Sequence, residues 1–482
     1  MQRKFFSNLF FLVLLNILIK PFWVFGIDRV VQLQVGTAQY GLYFSLLGLS
    51  FLFNMLTDFG ITNFNNKTIA GSPELLKSYF SHILLLKLLL AFAYLLVSGI
   101  AALLWGISTV AVPIFALLCL NQVLASMILF VRSNISALHH FVIDSILSVL
   151  DKFLMILFCG LLLYTRLLPF QLTIQAFVLA QTMAYVLSLS CSFLLLWMLT
   201  SGLRASFRPA QALRLLKQSA PYALLILLMT AYSKEDSVLI EKLLGDRGDF
   251  EAGVYASAYR LLDVLSQFGF LFAALLLPMF SRMLARKQPV EELTRSGFVV
   301  IFTGALPLVL LLCFYSHEVM WLMNHHQHAI GQDVMAILIF SLLGTVSGFI
   351  FGTLLTAAGK LKQLNIIAAG SLILNLVLNL VLIPTLYARG AAIAAVSTQL
   401  FSAILLIAYS AYHFRFRWNF SLLLRLLVYS GLVFLVIWFT LPWALDWKWK
   451  GALLFLASLG GAVLLRLVDY RKVISLVSAP QF

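Results

Sequence analysis

The sequence predicts an all-α polytopic membrane protein of about fourteen transmembrane helices. Three observations lead there. The chain has 482 residues, 62% of them hydrophobic and 11% charged, whereas soluble domains carry about 25% charged residues. Apolar segments of roughly 20 residues or more recur along the whole length, as a bilayer core of about 30 Å requires. No stretch between them is long enough to fold as a separate domain.

The spans follow in order. Met1-Gln2-Arg3-Lys4 and a long apolar run imitate a signal peptide, but Lys20-Pro21 interrupts the run and no small-residue cleavage site follows. An uncleaved first span over 6–33 is expected. Apolar runs then place spans at 39–64, 78–105, 109–132, 140–165, 170–200, 219–244, 253–283, 296–323, 333–358, 362–385, 390–413, 421–441 and 450–470. The longest loops are 201–218 and 284–295. The first is basic and separates an N-terminal lobe, 1–200, from a C-terminal lobe, 219–413; residues 414–482 add helices thirteen and fourteen. Gly41-Leu42-Tyr43 opens span two and Gly253-Val254-Tyr255 opens span eight, an internal echo that suits two parallel halves.

Basic residues set the orientation. One set of ends and loops holds 21 lysines and arginines, from Arg3 and Lys4 through Arg204, Arg208, Arg282, Arg286, Lys360 and Arg415 to Arg471 and Lys472. The opposite set holds 5: Arg166, Arg247, Arg389, Lys448 and Lys450. Positive charge gathers on the cytoplasmic side, so both termini are expected there. The net charge of +15 therefore reports topology and not nucleic acid. Cys119, Cys159, Cys191 and Cys313 all lie in apolar runs and imply no disulfide framework.

Several segments resemble the polysaccharide flippases of the multidrug/oligosaccharidyl-lipid/polysaccharide exporter superfamily, the O-antigen type in particular. They are Val35 through Tyr43 with Asp58-Phe59-Gly60; Ser219-Ala220-Pro221, Asp236-Ser237-Val238-Leu239 and Gly253 through Arg260; and Asn375 through Pro384 with Gly390-Ala391-Ala392-Ile393-Ala394. They stand in the family's order and spread over both lobes. The resemblance implies two pseudo-symmetric six-helix lobes around a central cavity, worked by alternating access in a bacterial inner membrane. The implied cargo is a polyprenyl-pyrophosphate-linked oligosaccharide, carried from the cytoplasmic to the periplasmic leaflet, with contact to polysaccharide polymerisation machinery. Many O-antigen flippases have twelve spans; the extra pair is similar to the peptidoglycan-precursor flippases of the same superfamily.

Charges within the spans are the candidate site. A charge at the bilayer centre costs about 2.5–3.5 kcal/mol on insertion scales, so such residues face a cavity or a partner. Lys20, Lys87, Lys152, Lys234 and Arg260 are the expected lining of a hydrated basic cavity, where ammonium and guanidinium groups replace the water around a pyrophosphate. Asp144, Asp151, Glu235, Asp236 and Asp263 are the candidates to carry a coupling H+ or Na+. The alternative for each is ion pairing that only holds helices together: Asp236 with Arg260, Arg260 with Asp263 at i+3, and Asp151 with a neighbouring lysine. Lys20 and Lys87 show no acidic partner nearby in sequence.

Other signals carry less. Gly359-Lys360 is followed by Leu361 and lacks the earlier glycine of a P-loop, so no nucleotide is bound and no cofactor is expected. His325, His326 and His328 lack metal-site spacing and read as a solvated loop. Pro21, Pro113, Pro221, Pro278 and Pro307 read as kink points or tolerated prolines. Trp438, Trp443, Trp447 and Trp449 read as an interfacial belt. Three function classes compete: a lipid-linked oligosaccharide flippase; another exporter of the superfamily, either a peptidoglycan-precursor flippase or a cation-coupled drug antiporter; and a membrane glycosyltransferase, polymerase or ligase. A drug exporter for cationic cargo favours an acidic cavity, against the lysines of spans one and three. An enzyme needs a larger extramembrane loop than this chain has.

Overall fold

A computed structural model describes residues 18–19, 21–62, 65, 76–138, 140–164, 173–200, 209–323, 328–417 and 419–467. Among them the chain is helical throughout and forms no strand. A π-helical segment, Trp23–Asp28, leads directly into α1, Arg29–Val35. Then come α2, Thr37–Leu52; α3, Leu76–Trp105; α4, Val112–Ala137; α5, Phe141–Tyr164; α6, Ile174–Thr200; α7, Pro209–Leu244; and α8, Gly248–Ala285. The remainder is α9, Glu291–Phe314; α10, Ser316–Met323; α11, His328–Leu338; α12, Ser341–Ala357; α13, Leu361–Leu386; α14, Ala388–Phe414; α15, Phe420–Thr440; and α16, Trp447–Leu464.

Local chemistry fixes many of these ends. Pro113 sits in the first turn of α4, where its missing N–H costs nothing. The Asn419 side chain accepts from the Leu422 amide at 3.0 Å and caps α15; the Asp446 carboxylate accepts from the Lys448 amide at 2.8 Å and caps α16.

Nine stretches among the described residues are long and apolar enough to cross a membrane. The helices α7 and α8 are not among them, although they run 36 and 38 residues. Their charged side chains lower the hydropathy, and those side chains are the ones of interest below. One expected span is broken: that over 296–323 is α9 and α10, interrupted at Tyr315. The span over 333–358 falls within one crossing stretch, Ala329–Ala357, which turns at Ile339 and Phe340 between α11 and α12. The span over 39–64 ends as an α-helix at Leu52 and continues as a 3-10 turn, Asn54–Thr57. Of the first span, 6–17 and Lys20 lie outside the described residues, as do 201–208 of the basic loop and His325 and His326.

The chain divides into two compact units, Met1–Ala256 and Ser257–Phe482. In the first, α4 packs on α6, α5 on α6, and α2 on α7. Its core joins Ile61, Phe80, Ile83, Phe130, Ile135 and Leu196, with Phe80 and Phe130 stacked at 5.2 Å. Glycines set the closest approaches: a Cβ on Gly41 would fall 1.7 Å from the Asp249 carbonyl oxygen, and one on Gly48 would fall 2.9 Å from that of Lys234.

In the second unit, α13 packs on α14 and α12 on both α14 and α9. Gly344 of α12 lies against the Gln399 backbone of α14. Asn375 and Asn379 are fully buried on α13, and the Asn379 amide donates to the Asn375 side-chain oxygen at 3.0 Å. The two additional helices, α15 and α16, pack on α9: the buried Tyr429 hydroxyl donates to the Thr303 carbonyl at 2.8 Å. Beside them the Lys450 ammonium donates to the Leu441 carbonyl at 2.9 Å and stands over the Tyr315 ring.

Candidate functional site

The intramembrane charges of the first unit gather in three places. The first is built on the π-helical segment. An i→i+5 turn accommodates an extra residue in the helix, and such bulges recur at functional sites. Here it brings Trp23 against Lys152 of α5, whose ammonium lies 5.7 Å from the indole centroid. Tyr185 of α6 supplies a second ring, 5.5 Å away, and accepts from the ammonium through its hydroxyl at 3.5 Å. Asp151 stands 3.5 Å from the same ammonium. The lysine is thus held by one carboxylate and two aromatic faces, which retain a cation where water is scarce.

Aromatic contacts extend this site. Trp23 stacks on Phe177 at 5.9 Å, Phe177 meets the edge of Tyr43 at 5.5 Å, and Tyr43 lies 5.5 Å from Tyr40. Gln181 donates to the Tyr43 hydroxyl at 3.3 Å. Tyr40 donates its hydroxyl to the buried carboxylate of Asp28 at 2.7 Å. Lys152 and Asp28 are thus joined through a buried chain of aromatic and amide contacts.

The second place corrects an expectation. Lys87 has an acidic partner: its ammonium is ion-paired with Asp58, and its side chain is 0% exposed. It also donates to Ser126 at 2.9 Å and to Thr62 at 3.3 Å, and lies over the Phe130 ring. A fully enclosed lysine cannot line an open cavity in this conformation. The partner was hidden because it is 29 residues away on an irregular segment, where Phe59 and Gly60 take left-handed φ angles of 51° and 77°. For a bulky residue such a backbone costs on the order of 1–3 kcal/mol and persists only where the surroundings fix it.

The third place is where α7 and the start of α8 meet α1 to α3. Asp236 accepts from the Tyr255 hydroxyl at 2.6 Å, and Gln32 donates to the Gly253 carbonyl at 3.1 Å. Lys234 stands over the Phe51 ring at 5.7 Å. Nearer the end of α7, Trp105 donates to Glu241 at 3.3 Å and its carbonyl accepts from Lys242 at 2.5 Å. Glu235 is half-buried beside Asp236, and its Oε1 is buried.

The remaining candidates are dispersed. Asp144 of α5 accepts from Arg132 Nε of α4 at 2.9 Å, so it is tied to a helix pair. Asp151 takes the reading of a carboxylate beside its neighbouring lysine. Arg260 and Asp263 lie on the part of α8 that belongs to the second unit. Among the described residues, no group of three or more His, Cys, Asp or Glu stands together as metal ligands. Sequence reading missed Trp23, Tyr40, Tyr185 and Tyr255, because aromatic residues at helical spacing look the same whether they face lipid or a charge.

Residues 5–284, more than half of the chain, match the family model described as Polysaccharide biosynthesis protein. The chain belongs to that family. A second model, MatE, matches residues 221–381. No curated protein matches by sequence. Among solved structures, the lipid II flippase MurJ in an inward closed conformation aligns over 98% of this chain and 99% of its own, with a TM-score of 0.73 and 12% identity. A MOP superfamily transporter from Pyrococcus furiosus aligns over 85% of this chain and 96% of its own, with a TM-score of 0.61 and 15% identity. The Vibrio cholerae MATE transporter VcmN in the bent form aligns over 85% and 97%, with a TM-score of 0.56 and 16% identity. This member of the polysaccharide biosynthesis family thus has the fold of flippases and exporters, and is a multi-pass membrane protein.

Proposed function

We propose that this protein is a flippase that moves a polyprenyl-pyrophosphate-linked oligosaccharide, an O-antigen or other polysaccharide repeat unit, from the cytoplasmic to the periplasmic leaflet of a bacterial inner membrane. Both termini are cytoplasmic in this reading, as the distribution of basic loop residues requires. The observation that carries it is Lys152: a cation with 24% side-chain exposure, kept within a membrane span between Trp23, Tyr185 and Asp151 in a chain of this family. A pyrophosphate cannot enter hydrocarbon without something in place of its hydration, and sugar rings pack on aromatic faces such as that of the half-buried Tyr185 beside Lys152. Within the first unit, Lys234 adds to the proposed cationic lining. The lipid tail remains in the bilayer while the headgroup passes, and an H+ or Na+ gradient drives the cycle through the intramembrane carboxylates.

The test is leaflet-resolved accumulation of lipid-linked sugar. Depletion of the protein is expected to trap the lipid-linked repeat in the cytoplasmic leaflet, and purified protein in vesicles is expected to restore its crossing. A repeat that crosses at the same rate without the protein overturns the reading. The second reading, a peptidoglycan-precursor flippase, is favoured by the α15–α16 pair and the MurJ-like fold along the whole chain; movement of an undecaprenyl-linked peptidoglycan precursor in the same vesicles would select it.

A further inference from the structure

Basic side chains collect on one membrane face of the second unit. Lys360 precedes α13 and Lys362 lies in its first turn, while Arg415 and Arg417 lie between α14 and α15. Two spans separate these turns, so they share a face. The Lys360 ammonium acts electrostatically on the His413 imidazole, two residues before Arg415, which places the two turns side by side. Arg415 closes α14 in a left-handed conformation, with φ 52°, uncommon for a residue with a side chain. Phe414 and Phe416 stack at 5.8 Å on either side of it in sequence.

The carboxylate that reaches this turn is already engaged. Glu291, at the start of α9, pairs with Arg295 at 2.6 Å and accepts from the Arg417 amide at 3.1 Å. Arg295 donates in turn to the Arg417 carbonyl at 3.1 Å. The backbone of Arg417 is thereby tied to α9, and its guanidinium takes no part in that contact. Among the described residues, the side chains of Lys360, Lys362, Arg415, Arg417 and Arg425 form no ion pair. Arg425 lies six residues past the Asn419 cap of α15, about 9 Å along the helix. A charge at that depth is kept by reaching back to headgroup level. Apolar groups flank these cations: Tyr412 is 82% exposed, Phe420 79% and Leu427 70%.

A partner that fits has a negative headgroup for the cations and hydrocarbon for the rings and leucine. We propose that this face binds an anionic phospholipid of the surrounding bilayer. Its phosphate sits among Lys360, Arg415 and Arg417, with Arg425 reaching up to it, and its acyl chains lie along Phe420 and Leu427. Basic pockets between membrane helices take such headgroups. A zwitterionic lipid carries an ammonium of its own, which the same cations repel. The lysines offered to the cargo above lie in the first unit, and neither the glycan nor the coupling ion enters this assignment.

Native mass spectrometry of the full chain in detergent, titrated with dioleoylphosphatidylglycerol or dioleoylphosphatidylethanolamine, tests it without any cargo. The wild type is expected to bind the phosphatidylglycerol more tightly. Arg415→Gln, Arg417→Gln and Arg425→Gln together should weaken that binding about fivefold per cation removed and leave phosphatidylethanolamine unchanged. Arg286→Gln with Lys287→Gln removes exposed charge from the turn between α8 and α9 and should change neither, which separates the patch from net charge. Where the triple variant does not fold, each single variant is read instead, with a fivefold loss expected. Equal affinity for the two lipids overturns the proposal, as does an equal loss in the Arg286 and Lys287 control or an affinity that survives the triple substitution. Tighter binding of undecaprenyl phosphate, lost in the same variant, also overturns it and gives the patch to the cargo carrier. The flippase reading is judged separately, by lipid crossing.

Discussion

Gly41 and Gly253 are packed reciprocally. A Cβ on Gly41 would meet the carbonyl of Asp249, four residues before Gly253, and a Cβ on Gly253 would fall 2.1 Å from the carbonyl of Thr37, four residues before Gly41. Each glycine thus occupies the same place relative to the other's helix, as two copies of one motif would about a local twofold axis. The tripeptides Gly41-Leu42-Tyr43 and Gly253-Val254-Tyr255 are the echo visible in the sequence, and in the fold they touch.

Alanine at either glycine should separate the helices, because the obstacle is backbone and cannot rotate away. Gly41→Ala and Gly253→Ala are each expected to lower stability by about 1–3 kcal/mol, as overpacking does. Gly99→Ala is the control: no atom lies within 4 Å of the added Cβ, and alanine's helix propensity gives at most about 1 kcal/mol of stabilisation. Thermal unfolding of the purified protein in detergent distinguishes them.

Removal of the Tyr255 hydroxyl leaves the Asp236 carboxylate without a donor it now has at 2.6 Å. Tyr255→Phe is expected to cost about 1.5–3 kcal/mol, the range for hydrogen bonds to charged groups. Tyr40→Phe should behave alike through Asp28. Equal unfolding midpoints for wild type and both variants would contradict the assignment.

Lys152→Met keeps much of the side-chain volume between Trp23 and Tyr185 but removes the charge. Vesicle transport of the lipid-linked oligosaccharide is expected to fall at least tenfold, about 1.4 kcal/mol in the barrier, with the folded yield maintained. Lys152→Arg should retain more activity than Lys152→Met, since guanidinium binds phosphate and stacks on rings. Transport unchanged in Lys152→Met would remove this residue from the cargo path.

Arg389 and Asp333 form an ion pair in the second unit with side chains 52% and 42% exposed. Exposed pairs contribute little, and a double-mutant cycle should give about 0.2–1 kcal/mol, shrinking as salt is added. A larger coupling would show that this contact is shielded from solvent in the membrane.

The all-helical class was legible because a bilayer demands long apolar runs, and those runs appear directly in composition. Helix breaks were less so. Tyr315 separates α9 from α10 just before the polar Ser316-His317-Glu318, and the expected span over 296–323 ran through that cluster because hydropathy responds to average polarity. The ends of α13 and α14 fell close to the expected 362–385 and 390–413, with Tyr387, at a left-handed φ of 56°, making the turn between them. At the site, adjacency in sequence revealed Asp151 beside Lys152, but not Asp58 beside Lys87. A pairing across 29 residues and an irregular segment leaves no periodic trace, and the same holds for the rings around Lys152.

The π-helical segment Trp23–Asp28 has a consequence for how the first span is numbered against its surroundings. One additional residue within a helix rotates everything before it by about 100° relative to everything after it. A single-residue deletion between Phe22 and Arg29 would return the segment to ordinary α geometry, yet it would turn Pro21 and Phe22 to a new bearing. Length variation at this point is therefore a rotary control: it redirects the helical residues before Trp23 without altering the identity of any of them.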